Sequence, residues 1–196
     1  MRCGLVAARH CQDRSTGIED FDRFDHRGHN GIGLHVARHL AEQGLTALVG
    51  ARDAARGAET AAQVGGRPVV LDVTDPDTIA AAAAAIPEPD VLVNNAGISL
   101  DTGASVIETD VEIFRRTYET SVFGVVAVTN AMLPALSRSA HPRIITVSSG
   151  TGSLGWSTEP NPKFDFQAAG VLRLALLPDD GSTGQLFCYD GTVARR

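Results

Sequence analysis

The sequence predicts an α/β fold, a doubly wound parallel sheet built as a single domain. Three observations carry this reading. From about residue 31, apolar runs of three to five residues alternate with helical patterns of ten or more, the rhythm of strands joined by crossover helices. Most of the short runs end in small or polar residues, as at Gly50-Ala51-Arg52-Asp53, Asp72-Val73-Thr74 and Asn94-Asn95-Ala96-Gly97. A length of 196 residues, 43% of them hydrophobic and 20% charged, is enough for one sizeable core.

Each element has its own signal. Gly31 to Gln43 carries Leu34, Ala37, Leu40 and Ala41 on one face, with Gly44 as a stop. Leu45 to Val49 is apolar between glycines, the mark of a buried parallel strand. Ala54 to Val64 is rich in helix formers. Val69 to Leu71 is a strand ending at Asp72, and Pro76 opens an alanine-rich helix to Ile86. Val91 to Val93 is a further strand. Asp110 caps one long helical pattern to about Leu136, and Arg143 to Val147 is the next strand. Gln167 to Leu177 suits a helix and Gln185 to Tyr189 a last short strand. The ends fit less well. Residues 1–30 form an atypical, poorly structured segment whose only strand candidate is 3–8, so the domain proper is 31–196.

The formal charge of −6 excludes the basic footprint of a nucleic-acid or anionic-membrane binder. No apolar run reaches the length of a membrane span, and residues 4–8 are too few for a signal-peptide core. Three cysteines, an odd number, suit a reducing, cytoplasmic setting. Cys3, His10, Cys11, His26 and His29 lack zinc-ligand spacing, so no metal site is expected.

The chemistry gathers at the strand ends. Val91-Leu92-Val93 running into Asn94-Asn95-Ala96-Gly97 places amides and small residues at the carboxyl edge of the sheet, where doubly wound folds bind ligands. Asn and Gly are also ordinary turn residues. Gly31-Ile32-Gly33 opens the first helix, whose free N–H groups favour a phosphate. Arg52, with Arg56 one turn on, suits the 2′-phosphate of NADP, although Asp53 is adjacent and NAD stays possible. Val147-Ser148-Ser149-Gly150 ends the strand at 143–147.

Residues 31–155 resemble the short-chain dehydrogenase/reductase family, most like its carbonyl-reductase-like members. The resemblance implies a Rossmann-type NAD(P)-binding domain. It implies hydride transfer between a nicotinamide and a small carbonyl or alcohol substrate. It puts Gly31, Ile32 and Gly33 over the pyrophosphate and Asp72 and Val73 at the adenine. Asn95, Ala96 and Gly97 then line the adenosine ribose and the path to the nicotinamide, and Ser149 is the catalytic serine.

Departures from the family pattern fall at defined places. In the glycine-rich turn Thr-Gly-x-x-x-Gly-x-Gly, Arg27 stands at the first glycine, and Ser121 occupies the position of the family's catalytic Asn. The family's Tyr-x-x-x-Lys pair is absent. The only lysine is Lys163, with Glu159 four residues before it, and the only tyrosines are Tyr118 and Tyr189. A family-like tail, Val171 to Gly181, follows almost directly on residues 156–166, as if a helix and a strand were deleted, leaving the domain incomplete on its C-terminal side. General acid–base assistance typically contributes ~10²–10⁴-fold, so turnover is expected near background. The alternatives are a catalytically dead nucleotide-binding module, or the non-functional product of a damaged gene. Such a loss also predicts an exposed apolar sheet face and edge, and it leaves the oligomeric state open.

Overall fold

Asp53, Asp75 and Asp110 each accept a backbone N–H two or three residues ahead, at 2.9–3.0 Å, and so start three of the helices. The computed structural model describes residues 5–10, 31–98, 100, 109–148, 174–176, 184–185 and 193. Among the described residues, five strands and five helices follow in the order β1 (Leu5–His10), α1 (Gly31–Glu42), β2 (Leu45–Ala51), α2 (Ala54–Gln63), β3 (Arg67–Val70), α3 (Pro76–Ala85), β4 (Val91–Asn94), α4 (Val111–Tyr118), α5 (Gly124–Leu136) and β5 (Arg143–Thr146). A π-helical turn, Glu119–Phe123, joins α4 to α5, so the single helix expected after Asp110 is divided.

The strands form one sheet in the order β3-β2-β1-β4-β5. β4 shows why its sequence is apolar without alternation. Val91 and Val93 pack with α1, α2 and β2 through Leu34, Leu40, Val49 and Ala61, while Leu92 packs on the other face with Ile79 of α3 and Val128 and Met132 of α5. Helices thus cover both faces, as the doubly wound reading requires.

One strand departs from the parallel sheet expected. β1 occupies the centre, pairs antiparallel with both β2 and β4, and runs over Leu5–His10 rather than 3–8. β2 with β3 and β4 with β5 are parallel, so the other four strands all run one way. An antiparallel pair makes a full ladder of hydrogen bonds, so the central slot is satisfied by a strand of either direction.

The second half of the fold leaves apolar surface in water. α4 buries none of its residues, and Phe114, Tyr118, Val122 and Val126 along α4, the π turn and α5 are exposed, as is Ile144 on the edge strand β5. Taken through the π turn, Val111–Leu136 is a 26-residue helix long and apolar enough to cross a membrane, which corrects the expectation that no such stretch exists. The sequence hides it because Glu112, Arg115, Arg116 and Glu119 interrupt its first turns. Its Val128, Met132 and Leu136 nevertheless lie in the core beneath the sheet. Of the expected elements at 167–177 and 185–189, helix is described at Leu174–Ala175, with Ala175 buried against the α1 side of the core. The remainder lies outside the described residues, apart from Leu176 and Gln185.

Candidate functional site

The four mutually parallel strands bring their carboxyl ends to one edge. Val69, Gly50, Leu5, Asn94 and Thr146 stand in one row across the sheet, each paired with its neighbour. At about 4.8 Å per strand, that row spans roughly 19 Å. Arg52, Asp72, Asn95 and Ser148 follow directly above it, each one to three residues past the row.

At the end of β2, the carboxylate and the cations divide their tasks. Asp53 Oδ1 accepts from the Arg56 N–H at 2.9 Å and so caps α2. Its negative charge is committed to the helix start, while Arg52 and Arg56 are both exposed. Among the described residues no carboxylate forms an ion pair with either arginine.

At the end of β3 the backbone is tied down. The Leu71 N–H donates to the Ala51 carbonyl at 2.9 Å, extending the β2–β3 ladder past the strand. Asp72 Oδ1 accepts from both the backbone N–H and the hydroxyl of Thr74, at 2.9 and 2.7 Å. Thr78 Oγ1 accepts from the Asp72 N–H at 3.0 Å and lies within hydrogen-bond reach of the Asp72 and Asp75 carbonyls. Val73 is seated against Gly124, where a Cβ would come within 2.8 Å of Val73 Cγ2 and 2.9 Å of its carbonyl oxygen. Any side chain at 124 would push on Val73 and the segment that follows β3. Gly124 and Thr78 were not singled out from sequence. The available signal for Gly124 was a glycine among β-branched residues in mid-helix, where it costs helix stability unless packing demands it.

At the end of β4, Asn94 is buried and its Nδ2 donates to Thr129 Oγ1 of α5 at 3.0 Å. The strand end is thereby anchored, and the half-buried Asn95, Ala96 and Gly97 follow from it. Ser121, in the π turn, sits over this segment. Its hydroxyl is 3.3 Å from the Ile98 nitrogen, which donates to it, and 3.4 Å from the Ile98 carbonyl. A side chain on Gly97 would meet Ser121 Oγ at 3.7 Å. The extra residue of a π turn re-aims a side chain, and here it presents Ser121 to the strand end. Arg52, Asp72, Val73, Asn95, Ala96, Gly97 and Ser121 therefore belong to the same edge of the fold.

The pyrophosphate side is different. Gly31, exposed and at φ 74°, begins α1, with Ile32 half-buried and Gly33 buried behind it. α1 ends two residues before β2 and packs along it, so its first turn faces the carboxyl edge. β1, being reversed, starts at that edge, where Leu5 pairs with Gly50 and Asn94, and ends at the other, where His10 pairs with Leu45. His10 and Gly31 lie at opposite edges of the sheet, and residues 11–30 between them lie outside the described residues. Ser149, Glu159, Lys163 and Tyr189 lie outside the described residues, as do Arg27 and the side chains of Cys3, His10, Cys11, His26 and His29. Tyr118 is exposed at the end of α4. Among the described residues no cluster of metal-ligating side chains occurs.

Among the described residues, the histidine whose acidity is displaced is His35 on α1. Burial, followed by the nearby charges of Arg38 and His39, holds its imidazole below the usual histidine value.

The chain is similar to known proteins. The family description "short chain dehydrogenase" matches residues 28–161. The short-chain dehydrogenase anuI of Penicillium roqueforti is 36% identical over 149 residues, covering 68% of this chain and 58% of the relative. A cis-4-hydroxycyclohexanecarboxylate dehydrogenase from Sinomonas cyclohexanicum is 37% identical over 155 residues, covering 74% and 60%. Among solved structures, a gluconate 5-dehydrogenase from Burkholderia cenocepacia in complex with NADP and tartrate matches with a TM-score of 0.56 at 27% identity. That match covers 61% of this chain and 49% of the solved one. The chain thus spans about half the length of the curated relatives it matches, 58% and 51% of the first two.

Proposed function

This chain belongs to the short chain dehydrogenase family, and from that membership we propose that it is an NADP-directed nucleotide-binding member that does not complete the family's carbonyl/alcohol reaction. The family's cofactors are NAD(P), which supply hydride exchange with a small-molecule carbonyl or alcohol carbon. Preference for the 2′-phosphorylated form rests on Arg52, because Asp53 is engaged in capping α2 and does not oppose a phosphate there. NAD is the weaker ligand on this reading. Asp72 and Val73, held by Thr74, Thr78 and Gly124, supply the adenine wall, and Asn95 to Gly97 the ribose wall.

The observation that carries the loss of turnover is the lone lysine. Lys163 has Glu159 where the family's tyrosine stands, so no Tyr-x-x-x-Lys pair exists in these 196 residues. With Ser121 bonded to the Ile98 backbone, the proposed site keeps Ser149 as its one family catalytic group. A serine can hydrogen-bond a carbonyl, yet at neutral pH it does not replace a phenol and ammonium pair as proton donor. The match to the family ends at residue 161, where we place an internal loss of the segment bearing that pair. We further place the protein in the cytoplasm, with neither membrane nor nucleic acid as partner, on its charge of −6 and its three cysteines. Because β1 is the central strand of the sheet, the domain takes in Leu5–His10 together with residues 31–196.

Thermal unfolding with and without NADPH, alongside NADPH oxidation with a panel of aldehydes and ketones, tests the proposal. Ligand a hundredfold above its Kd adds about 2.7 kcal/mol, a rise of roughly 5–10 °C for a chain of this size. That rise is expected without absorbance loss above buffer. Steady substrate-dependent NADPH oxidation would refute the absence of turnover, and a flat melting temperature at millimolar NADPH would refute nucleotide binding.

A further inference from the structure

α1 turns Val36, Ala37 and Leu40 into the core, and its outer face carries a group that nucleotide binding does not use. At 3.6 residues per turn, His35, His39 and Glu42 fall within about 60° of one another around the helix, so they form one column along its axis. Side chains at i and i+4 stand one above the other, with Cβ atoms about 5–6 Å apart. His39 Nδ1 lies 2.9 Å from Glu42 Oε2. A carboxylate only accepts, so the proton of that bond sits on Nδ1, and in the neutral ring the lone pair is on Nε2. A carboxylate behind an imidazole is the arrangement that orients a ligand histidine and raises its basicity. His35, one turn earlier, is half-buried, and the charge of His39 is felt at its ring, so the two imidazoles are within electrostatic reach. Burial, then Arg38 and His39, hold His35 below the usual histidine value, so at neutral pH it is in the uncharged form that ligates a metal.

We propose that His35 and His39 are a chelating pair for one divalent transition-metal ion of the imidazole-preferring class, Ni²⁺, Cu²⁺ or Zn²⁺, with Glu42 orienting His39 from behind. Two histidines at i and i+4 on one helix face have the spacing that lets both rings reach one ion. Glu42 stays on Nδ1 of His39 while the ion takes Nε2. The described residues hold no group of three metal-ligating side chains, so water completes the coordination and the site is an open one. Arg38, on the adjoining row, opposes a cation, and the Glu42 carboxylate offsets it. The site belongs to α1 alone and does not depend on nucleotide binding.

The test is a calorimetric titration of the full chain with Ni²⁺, chosen because it takes imidazole and, unlike Cu²⁺, does not oxidise the three cysteines. Saturable binding at submillimolar Ni²⁺ is expected. It should be at least tenfold weaker in His35→Gln and in His39→Gln, and unchanged in His141→Gln, in the turn before β5. Glu42→Ala should weaken it by about tenfold with both rings in place. Diethyl pyrocarbonate labelling of the parent chain, read by mass spectrometry, locates the ion without any substitution. Ni²⁺ should protect His35 and His39 and leave the labelling of His141 as it was. Affinity retained in either His35→Gln or His39→Gln overturns the inference. Labelling of His35 and His39 that Ni²⁺ does not change overturns it too, as does the absence of saturable binding. Unchanged affinity in Glu42→Ala overturns the orienting role of the carboxylate.

Discussion

Substituting Gly124 by Ala sets two known effects against each other, and the structure decides the sign. Gly124 has ordinary helical angles, φ −60° and ψ −39°, at the start of α5. Helix propensity alone would therefore reward alanine by about 0.8–1.0 kcal/mol. The added Cβ, however, would sit 2.8 Å from Val73 Cγ2, 2.9 Å from its carbonyl oxygen and 3.0 Å from its Cβ. Carbon atoms pack best from about 3.5 Å, so the two segments must part by roughly 0.7 Å. Rotation of Val73 relieves only the Cγ2 contact. The carbonyl and Cβ belong to a backbone that Thr74 and Thr78 hold through Asp72. Overpacking of this kind costs about 1–3 kcal/mol, leaving a net loss near 1 kcal/mol. For a chain of this size that lowers the melting temperature by about 2–4 °C. Urea and thermal unfolding of Gly124→Ala, Val73→Ala and the double variant would measure it, with a coupling of at least about 0.5 kcal/mol expected between the two sites. If Gly124→Ala is instead stabilised by about 1 kcal/mol, the contact yields at no cost and the seat of Val73 is not tight.

Other expectations follow from particular contacts. Thr129→Val removes the partner of the Asn94 amide, which is 4% exposed, and should cost about 1–3 kcal/mol in urea unfolding, while a neutral result would show that the amide finds another acceptor. His35 has a folded pKa below its unfolded 6.5, so the unfolded chain takes up the proton first. Its contribution is intact above about pH 6.5 and is lost as pH falls through the folded value. Stability measured at pH 7.5 and 5.5 should therefore fall less in His35→Gln than in the parent, and equal falls would refute the assignment. Phe114 and Val126 are 43% and 54% exposed on one apolar stripe, so light scattering should show association rising with concentration. Phe114→Glu combined with Val126→Glu should reduce it, and unchanged scattering would place the sticky surface elsewhere.

Much of the architecture was readable because its causes are local. Asp53, Asp75 and Asp110 declare helix starts through a carboxylate bonded a few residues ahead, and Pro76 fits the first turn of α3. The four apolar residues of β4 announce a strand covered on both faces. Asp72, Asn95 and Arg52 could be placed at the ligand edge because a strand's last residue and the next few positions are fixed once the strands run parallel. Gly124, Thr78 and Thr129 act across distance in the chain, and nothing near them in sequence names their partners Val73, Asp72 and Asn94.

By itself, then, the sequence determined the helix starts at Asp53, Asp75 and Asp110, the two-sided burial of β4, the family, and the absence of a Tyr-x-x-x-Lys pair in these 196 residues. Only the tertiary structure decided the direction of β1. An alternating or apolar run has the same period read forwards or backwards, so its side chains fill the same core whichever way the strand points. Direction is set by pairing with β2 and β4. In this chain that pairing, rather than any single residue, puts the end of β1 at the edge opposite Gly31.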